Sequence, residues 1–565
     1  MDTELKFIDV NPFMKKIYDY AKSKNKKIIY ISDMYLSSNQ IYKLLEKAGY
    51  KKDKLYVSCE TKSNKGSKSL YELVYKENKL DKSSWLHIGD NIVSDYNNPI
   101  EFGINAYNYK NVREYDKSIM PKSIEESIIT AIQTNKVYNG LELDYWEKFG
   151  ILNVSPLYFG YSFWLYNLTK DKDNLFFLAR DGYIFEKIFN YFSKTNLFTN
   201  YIYCSRKSLQ IPALYDCDED YLTYVVTIMN DFKNNTIKLK DFFKVAQLDY
   251  NDEKYLPIIR LFNFDSFEDI IDDNNYENMK KLMASQIDDI KKNIKEQRDL
   301  VIAYLNQEGM DKYEKINVVD VGWAGSIQFA IEKLLKKKVT GYYFGTIINQ
   351  KANNYSTMFG YYFDLGNKEE DRREIIDNIM MYELLFSAPH GTTKSYKKVN
   401  GKIEYILGED DNNEIVERFQ NAALSIIKKY IEYYEYSQKI DKYFATYRFR
   451  KMIKDKNYED MYNFSKLSND MVLGSDKKYS YVKEFEKRYI NKNFKQFLKD
   501  SSSSIWKGAY LIKDGIPEDY KIINIRIDKI KNIKIEVKKV GRSFIPFRVR
   551  RKMLNTYRKI ANRNN

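Results

Sequence analysis

Over residues 1–110, short apolar runs alternate with amphipathic stretches. KKIIYIS, KLYVS, SWLHIGD and INAYNY have strand character. Between them, Phe13, Ile17 and Tyr20 recur at helical spacing behind Asn11-Pro12, a second helix over Ile41–Lys47 ends at Gly49, and a third lies near Tyr71. Strands alternating with helices predict an α/β fold with a parallel, Rossmann-like sheet. The pattern repeats over 146–400, with strand-like runs LFFLAR (175–180), YIYCS (201–205), INVVDVG (316–322) and VTGYYFGTI (339–347) and a charged helical insertion at 215–310. The organisation expected is a front α/β domain (1–110), a helical connector (111–145), a second α/β domain (146–400), a helical region (401–500) and a C-terminal tail (501–565). The run SSSS at 501–504 marks the last boundary. In the tail, Ile523, Ile525 and Ile527, then Ile533, Ile535 and Val537, alternate as two half-buried strands joined at Lys531-Asn532. A basic amphipathic helix follows Pro546.

Composition and charge sharpen this picture. The 565 residues are 44% hydrophobic and 30% charged, enough apolar material for buried cores. Three cysteines exclude a disulfide scaffold and fit a reducing compartment. The mixed N-terminus does not read as a signal peptide, and no apolar run reaches membrane-spanning length, so a cytoplasmic protein is expected. The net charge of +15 is concentrated: from Lys521 onward fifteen basic residues face Asp528 and Glu536, leaving about +2 for residues 1–520. A nearly neutral body argues against nucleic acid as partner. The tail suits an anionic membrane surface, placing the protein peripherally on the inner membrane face; a solvated terminus is the competing reading.

Two strand ends in the front domain carry the chemistry. HIGDNIVSD places Asp90 and Asp95 after a strand that ends at Gly89, and YISDMYLS places Ser32 and Asp33 ahead of a helix. Between them lies ETKSNKGSKSLY, with Lys62, Lys65 and Lys68. Carboxylates at the carboxyl end of a parallel strand sit where α/β folds bind ligands, and two acids so spaced can share a hard cation.

In order and wording these segments resemble the haloacid dehalogenase-like (HAD-like) superfamily of phosphohydrolases, in particular a bacterial branch of predicted hydrolases associated with surface-polysaccharide assembly. The resemblance covers about residues 4–110. It implies that Ser32 and Lys65 (with Lys62 and Lys68 as lesser candidates) bind phosphate, that Asp90 and Asp95 hold Mg²⁺, and that the ligand is a phosphorylated small molecule or sugar. The family's nucleophile motif, Asp-x-Asp-x-Thr after an apolar strand, does not occur within residues 1–110; FIDVNPF offers only Asp9-Val10-Asn11. Without that nucleophile the usual aspartyl-phosphate chemistry is not expected, and Asp33 is the candidate substitute. In the resembling fold the missing strand is central, and LKFIDV near the N-terminus is one candidate to fill its place. A non-catalytic scaffold beside glycosyltransferases and an N-terminally shortened active phosphatase are the alternative readings. His87 reads as a core histidine.

The second α/β region adds polar residues at strand ends: Arg180 and Asp181 in LARDG, Arg206 after YIYCS, Asp320 and Ser326 in VVDVGWAGS, and Glu383, His390, Thr392 and Thr393 in ELLFSAPHGTT. Arg180 and Ser326 are phosphate-binding candidates and His390 is a catalytic candidate; a structural Arg180–Asp181 ion pair is the plain alternative. If turnover occurs, it is expected in this region. The acidic DCDED at 216–220 reads as an exposed loop.

Overall fold

The computed structural model describes residues 2–112, 121–139, 142–192, 197–216, 238–251, 253–347, 357–364, 369–409, 413–433, 440–470 and 478–528. Two compact units emerge, residues 1–152 with 425–440, and residues 153–424 with 441–565. The fold is mixed α/β, as the periodicity predicts.

The first unit begins with α1 (Asp2–Phe7) and α2 (Pro12–Ser23). Asn11 caps α2, its side chain accepting the Met14 N–H at 3.1 Å, with Pro12 in the first turn. The strand expected at LKFIDV is therefore a helix up to Phe7. The Lys47 ammonium donates to the Leu5 and Lys6 carbonyls, which the last turn of a helix leaves without partners. Next come β1 (Ile29–Ser32), α3 (Ser38–Lys47), β2 (Lys54–Val57), α4 (Ser69–Asn78), β3 (Leu86–Gly89), β4 (Asn105–Asn108) and α5 (Ile124–Tyr138). A Ser37–Gln40 capping box opens α3.

β1 pairs with β2 and β3 with β4, both parallel, forming two separate two-stranded sheets. Ile29, Ile31 and Tyr56 face Leu70 and Val74 of α4. Tyr30 points to the opposite face, against Tyr18 of α2 and Tyr50. Residues 425–440 complete this unit: the Lys429 ammonium meets Asp9 at 2.5 Å, and the Tyr433 ring stacks on Phe7.

The second unit is built on α6 (Ser155–Thr169), β5 (Asn174–Leu178), α7 (Tyr183–Phe192), β6 (Phe198–Ile202), α8 (Arg206–Ala213), α9 (Ile287–Gln307), β7 (Lys315–Asp320), α10 (Ser326–Leu335), β8 (Lys338–Gly345), β9 (Thr357–Phe363) and α11 (Ile379–Phe386). The five strands of its main sheet are all parallel, in the order β6-β5-β7-β8-β9. Every residue of β5 is buried, and all of β7 after Lys315, which is why these strands read as largely apolar runs. One face packs Phe176, Leu178, Ile316 and Val318 against α8, α9 and α10. On the other, the Tyr161 hydroxyl of α6 donates to the Tyr342 carbonyl at 2.9 Å and approaches that of Asp320 at 3.1 Å.

Residues 401–500 are not purely helical. The hairpin of β10 (Thr393–Val399) and β11 (Lys402–Leu407) enters them, and β12 (Ser468–Asp470), β13 (Lys478–Ser480) and β14 (Lys483–Glu486) lie among their helices. β14 pairs in parallel with β15 (Tyr510–Lys513). The serine run is packed against structure, with Ser501 and Ser504 buried. Residues 517–528 form a helix where alternation predicted a strand. Ile523 and Ile527, one turn apart, pack with Phe497, Tyr510 and Ile512, while Ile525 between them is 48% exposed. The second expected strand and the amphipathic helix after Pro546 lie outside the described residues, as does most of the tail expected at a membrane. Among the described residues no helix is long and apolar enough to cross a membrane.

Candidate functional site

In the first unit, the turns after β1 and β3 are tied together by Lys65. Its backbone N–H donates to both Asp33 carboxylate oxygens at 3.1 and 3.0 Å, and its ammonium meets Asp95 Oδ1 at 2.5 Å. Asp95 also contacts His87 Nε2 at 3.1 Å and accepts the Asn91 N–H on Oδ2 at 3.1 Å. Gly89 is required here, because a Cβ would come within 2.4 Å of the Asp95 carboxyl carbon. Burial pushes the Asp95 pKa up, but His87, Lys65 and the Asn91 N–H more than offset it and hold the carboxyl well below its ordinary range.

Of the three candidate lysines only Lys65 reaches this network. Lys68 pairs with Glu101, and Lys62 ends a helical turn in the left-handed region. Ser32 is half-buried at the end of β1. His87 is buried as expected, with Asp95 as a polar partner that the sequence did not announce. Asp90 is exposed, accepts from Asn111 Nδ2 at 2.9 Å, and borders a cleft shared with Asn11, Gly89 and Tyr109.

The resemblance implies Mg²⁺ on Asp90 and Asp95. As arranged, Asp95 Oδ1 is taken by Lys65 and His87, and among the described residues no three His, Cys, Asp or Glu side chains converge as a metal site. This donor set does not form a Mg²⁺ shell.

The second unit holds a different kind of site. β6 lies on one side of β5 and β7 on the other, so the strand order reverses between β5 and β7. In an open parallel sheet this reversal opens a ligand crevice at the carboxyl ends of the strands. Asp181 follows β5 there, and Asp320 ends β7. The two carboxyls are close enough to act on each other, as are Glu383 of α11 and Arg206 on both and Arg180 on Asp181. Gly182 makes the approach feasible. Its N–H donates to the Leu178 carbonyl at 2.7 Å, and a Cβ would sit 2.7 Å from the Leu178 nitrogen.

Burial is the main cause that raises the Asp181 pKa, joined by the Glu383 charge and opposed by Arg180 and Arg206; the result is about 7. Burial and the Asp181 charge raise that of Asp320 well above the carboxylate range. Burial thus favours the protonated form of both aspartates, and each charge raises the other's pKa.

The surrounding residues fix this arrangement. Trp323, in the turn after β7, donates its indole N–H to Glu383 Oε1 at 3.1 Å. Gly325, at φ +70°, turns that segment into α10, which begins at Ser326. His390 sits among Tyr183, Tyr201 and Tyr203. Its Nδ1 lies 2.9 Å from the Gly391 carbonyl and its Nε2 2.9 Å from the Tyr201 hydroxyl. The proton therefore belongs on Nδ1, and Nε2 accepts from Tyr201. The basic nitrogen is occupied, so His390 orients Tyr201. The Tyr201 hydroxyl in turn lies 3.4 Å from the Arg180 carbonyl.

Thr393 is buried in β10, and its carbonyl accepts the Ser205 hydroxyl at 2.7 Å beside the start of α8. Asp216, the first residue of the acidic run, is bound by Arg298; residues 217–220 lie outside the described set. Sequence reading named Asp181 and Asp320 only as strand-end polar groups, and it missed Tyr201 and Trp323. The signal for the acid pair was an Asp at or just after the end of each of two largely apolar strands. No protein-family model matches the chain, and no curated protein matches it.

Proposed function

We propose that this protein is an enzyme acting on a phosphorylated small molecule, a phosphosugar by the resemblance of its front unit, and that Asp181 and Asp320 move the proton in that reaction. One observation carries the reading: two aspartates at the carboxyl ends of adjacent central strands, Asp320 buried and Asp181 half-buried, that act on each other and whose pKa values burial raises, that of Asp181 to about 7. Such a pair suits general acid–base work, and Arg180 and Arg206 supply positive charge for an anionic group.

A second reading concerns the first unit, as a HAD-like module that holds phosphate near Ser32 and Lys65 without turning it over. It is favoured by the reach of Lys65, and no other of the three lysines, into the Asp95 network. On the resemblance alone, the process we propose for it is surface-polysaccharide assembly.

The test is consumption of a panel of hexose phosphates, followed by NMR, by the full chain and by Asp181→Asn, Asp320→Asn and Asp33→Asn. The expected result is turnover with a pH profile that inflects near 7, lost in the first two variants and kept in the third. Turnover that survives both Asp181→Asn and Asp320→Asn refutes the assignment. Activity lost only in Asp33→Asn moves the chemistry to the first unit.

A further inference from the structure

We propose that the crevice of the second unit takes a sugar linked to a nucleoside diphosphate, with the base stacked on the Tyr203–Tyr405 ring pair, the diphosphate at Arg206 and Arg180, and the sugar at Asp181 and Asp320. The proposal names the substrate class of that crevice and rests on the acid–base reading given above. Three kinds of group follow one another along the carboxyl edge of the sheet, in the order such a ligand requires.

The sheet runs β6-β5-β7 at this point. The acids stand at the β7 and β5 ends, Asp320 closing β7 and Asp181 following β5. Arg180 precedes Asp181, and Arg206 opens α8 four residues after β6. Both arginines act on Asp181, and Arg206 on Asp320 as well, so positive charge borders the acids toward β6. Arg206 is exposed, and among the described residues no ion pair or hydrogen bond engages its guanidinium. That planar fork of donors matches phosphate oxygens. Aromatic side chains come next, over β6. Tyr201 lies in that strand and Tyr203 just beyond it, and the charges of Asp181 and Arg180 both act on Tyr201. Neighbouring strands lie about 4.8 Å apart, which sets β6 and β7 roughly 9.6 Å apart. One extended ligand can therefore meet all three kinds of group.

The ring pair is built as a platform. Tyr203 and Tyr405 stack with centroids 3.7 Å apart and 12° between their planes. Tyr201 and His390 each stand 5.0 Å from the Tyr203 ring and fix it from other directions. Tyr405 is brought there by the hairpin of β10 and β11, where it is the register partner of Tyr396. The Tyr396 hydroxyl donates to the Tyr203 carbonyl at 2.8 Å, and the Ser205 hydroxyl to the Thr393 carbonyl at 2.7 Å. These bonds hold the hairpin against the segment that leads into Arg206. Tyr405 stays 37% exposed, so a further planar ring can join the stack. Every nucleobase presents a π-face to such a surface; a hexose phosphate does not.

The experiment is calorimetric titration of the full chain with ADP, GDP, CDP, UDP and, as the probe without a base, inorganic pyrophosphate. At least one nucleotide should bind five or more times tighter than pyrophosphate. A stacked base contributes roughly five- to a hundredfold in affinity, so Tyr405→Ala should remove that margin and leave pyrophosphate binding unchanged, whereas Tyr405→Phe should keep it. Tyr405→Leu, which fills the hairpin but has no aromatic face, should behave as Tyr405→Ala and serves in its place if the alanine variant does not fold. Arg206→Gln should weaken nucleotide and pyrophosphate alike, by at least fivefold. The proposal is overturned if no nucleotide reaches the fivefold margin, if the margin survives Tyr405→Leu, or if Arg206→Gln binds both probes as the parent does. The two readings of the crevice fail separately. Turnover of hexose phosphates that needs Asp181 and Asp320, without a base margin, overturns the nucleotide alone. A base margin in a chain that turns over neither hexose phosphates nor the glucose conjugate of the bound nucleotide supports the nucleotide site and refutes the acid–base pair.

Discussion

Replacing Asp95 by Asn tests whether the first unit is held by the Lys65–Asp95–His87 network. The side chains of Lys65 and Asp95 are 13% and 5% exposed, so the pair is buried. Removing one member of such a pair costs about 3–5 kcal/mol, most of it the desolvation left on the surviving charge. The amide oxygen of Asn can still accept from Lys65 or His87, which places the expectation near 3 kcal/mol. For a unit of this size, about 3 kcal/mol lowers Tm by roughly 6–12 °C. Hydrogen exchange separates the units: protection in α4 and β3 should fall by about 3 kcal/mol while β5 and β7 stay unchanged. Lys65→Met should be coupled to it, with the double variant costing at least ~1 kcal/mol less than the sum of the singles. The pH dependence has a definite sign. The folded pKa of Asp95 lies below its unfolded value, so its contribution is present above pH ~4 and is lost as pH falls through the folded value. The gap between parent and Asp95→Asn should be complete at pH 7 and shrink in acid. A variant within ~0.5 kcal/mol of the parent at pH 7, with an additive double, would show that the network carries no stability.

The second unit should show the opposite pH behaviour. The Asp181 pKa is raised to about 7, so the parent loses stability as pH rises from about 4 through 7; Asp181→Asn keeps only the raised Asp320 and should lose less, so its stability relative to the parent should rise by on the order of 2 kcal/mol between pH 4 and pH 8, read by urea unfolding with exchange at β5 and β7. A relative stability that stays flat or falls over that range would refute the buried-acid account. The cysteines make a third test: Cys204 is buried, with its thiol pushed up by burial and the Asp320 charge, while Cys59 is exposed. Iodoacetamide at pH 8 should modify Cys59 in the folded chain and Cys204 only after unfolding, as peptide mass spectrometry would show.

The α/β character and most strands were legible because burial on both faces writes a nearly continuous apolar run: LFFL and INVV, the latter interrupted only by Asn317, became β5 and β7 within a residue or two. Alternation misled at Ile523–Ile527, where isoleucine at every second position equally marks one face of a helix, and tertiary contacts through Ile523 and Ile527 decided for the helix. LKFIDV failed for a related reason, since its helix is fixed by Lys47 from a distant turn. At the candidate sites, sequence order placed Asp90, Asp95, Asp181 and Asp320 at strand ends, but it could not say which carboxylates would find a counter-charge. That depends on contacts such as Lys65–Asp95, thirty positions apart, and on Glu383, which reaches the crevice from α11.

Those counter-charges distinguish the two units. Asp95 has an ammonium, an imidazole and a backbone N–H on its two oxygens, and its pKa falls: the protein has neutralised this carboxylate, as a stabilising network does. Asp181, Asp320 and Glu383 are three acids facing two guanidinium groups, one of them on the exposed Arg206, and the pKa values of both aspartates rise. A fold gains nothing in stability from holding acids together in a low-dielectric crevice, so an arrangement that keeps them there at the switch point of a parallel sheet is better explained by what they do to a ligand than by what they do for the fold. The direction of the pKa shift, more than the presence of acids at strand ends, is the reason to look for chemistry in the second unit and for binding in the first.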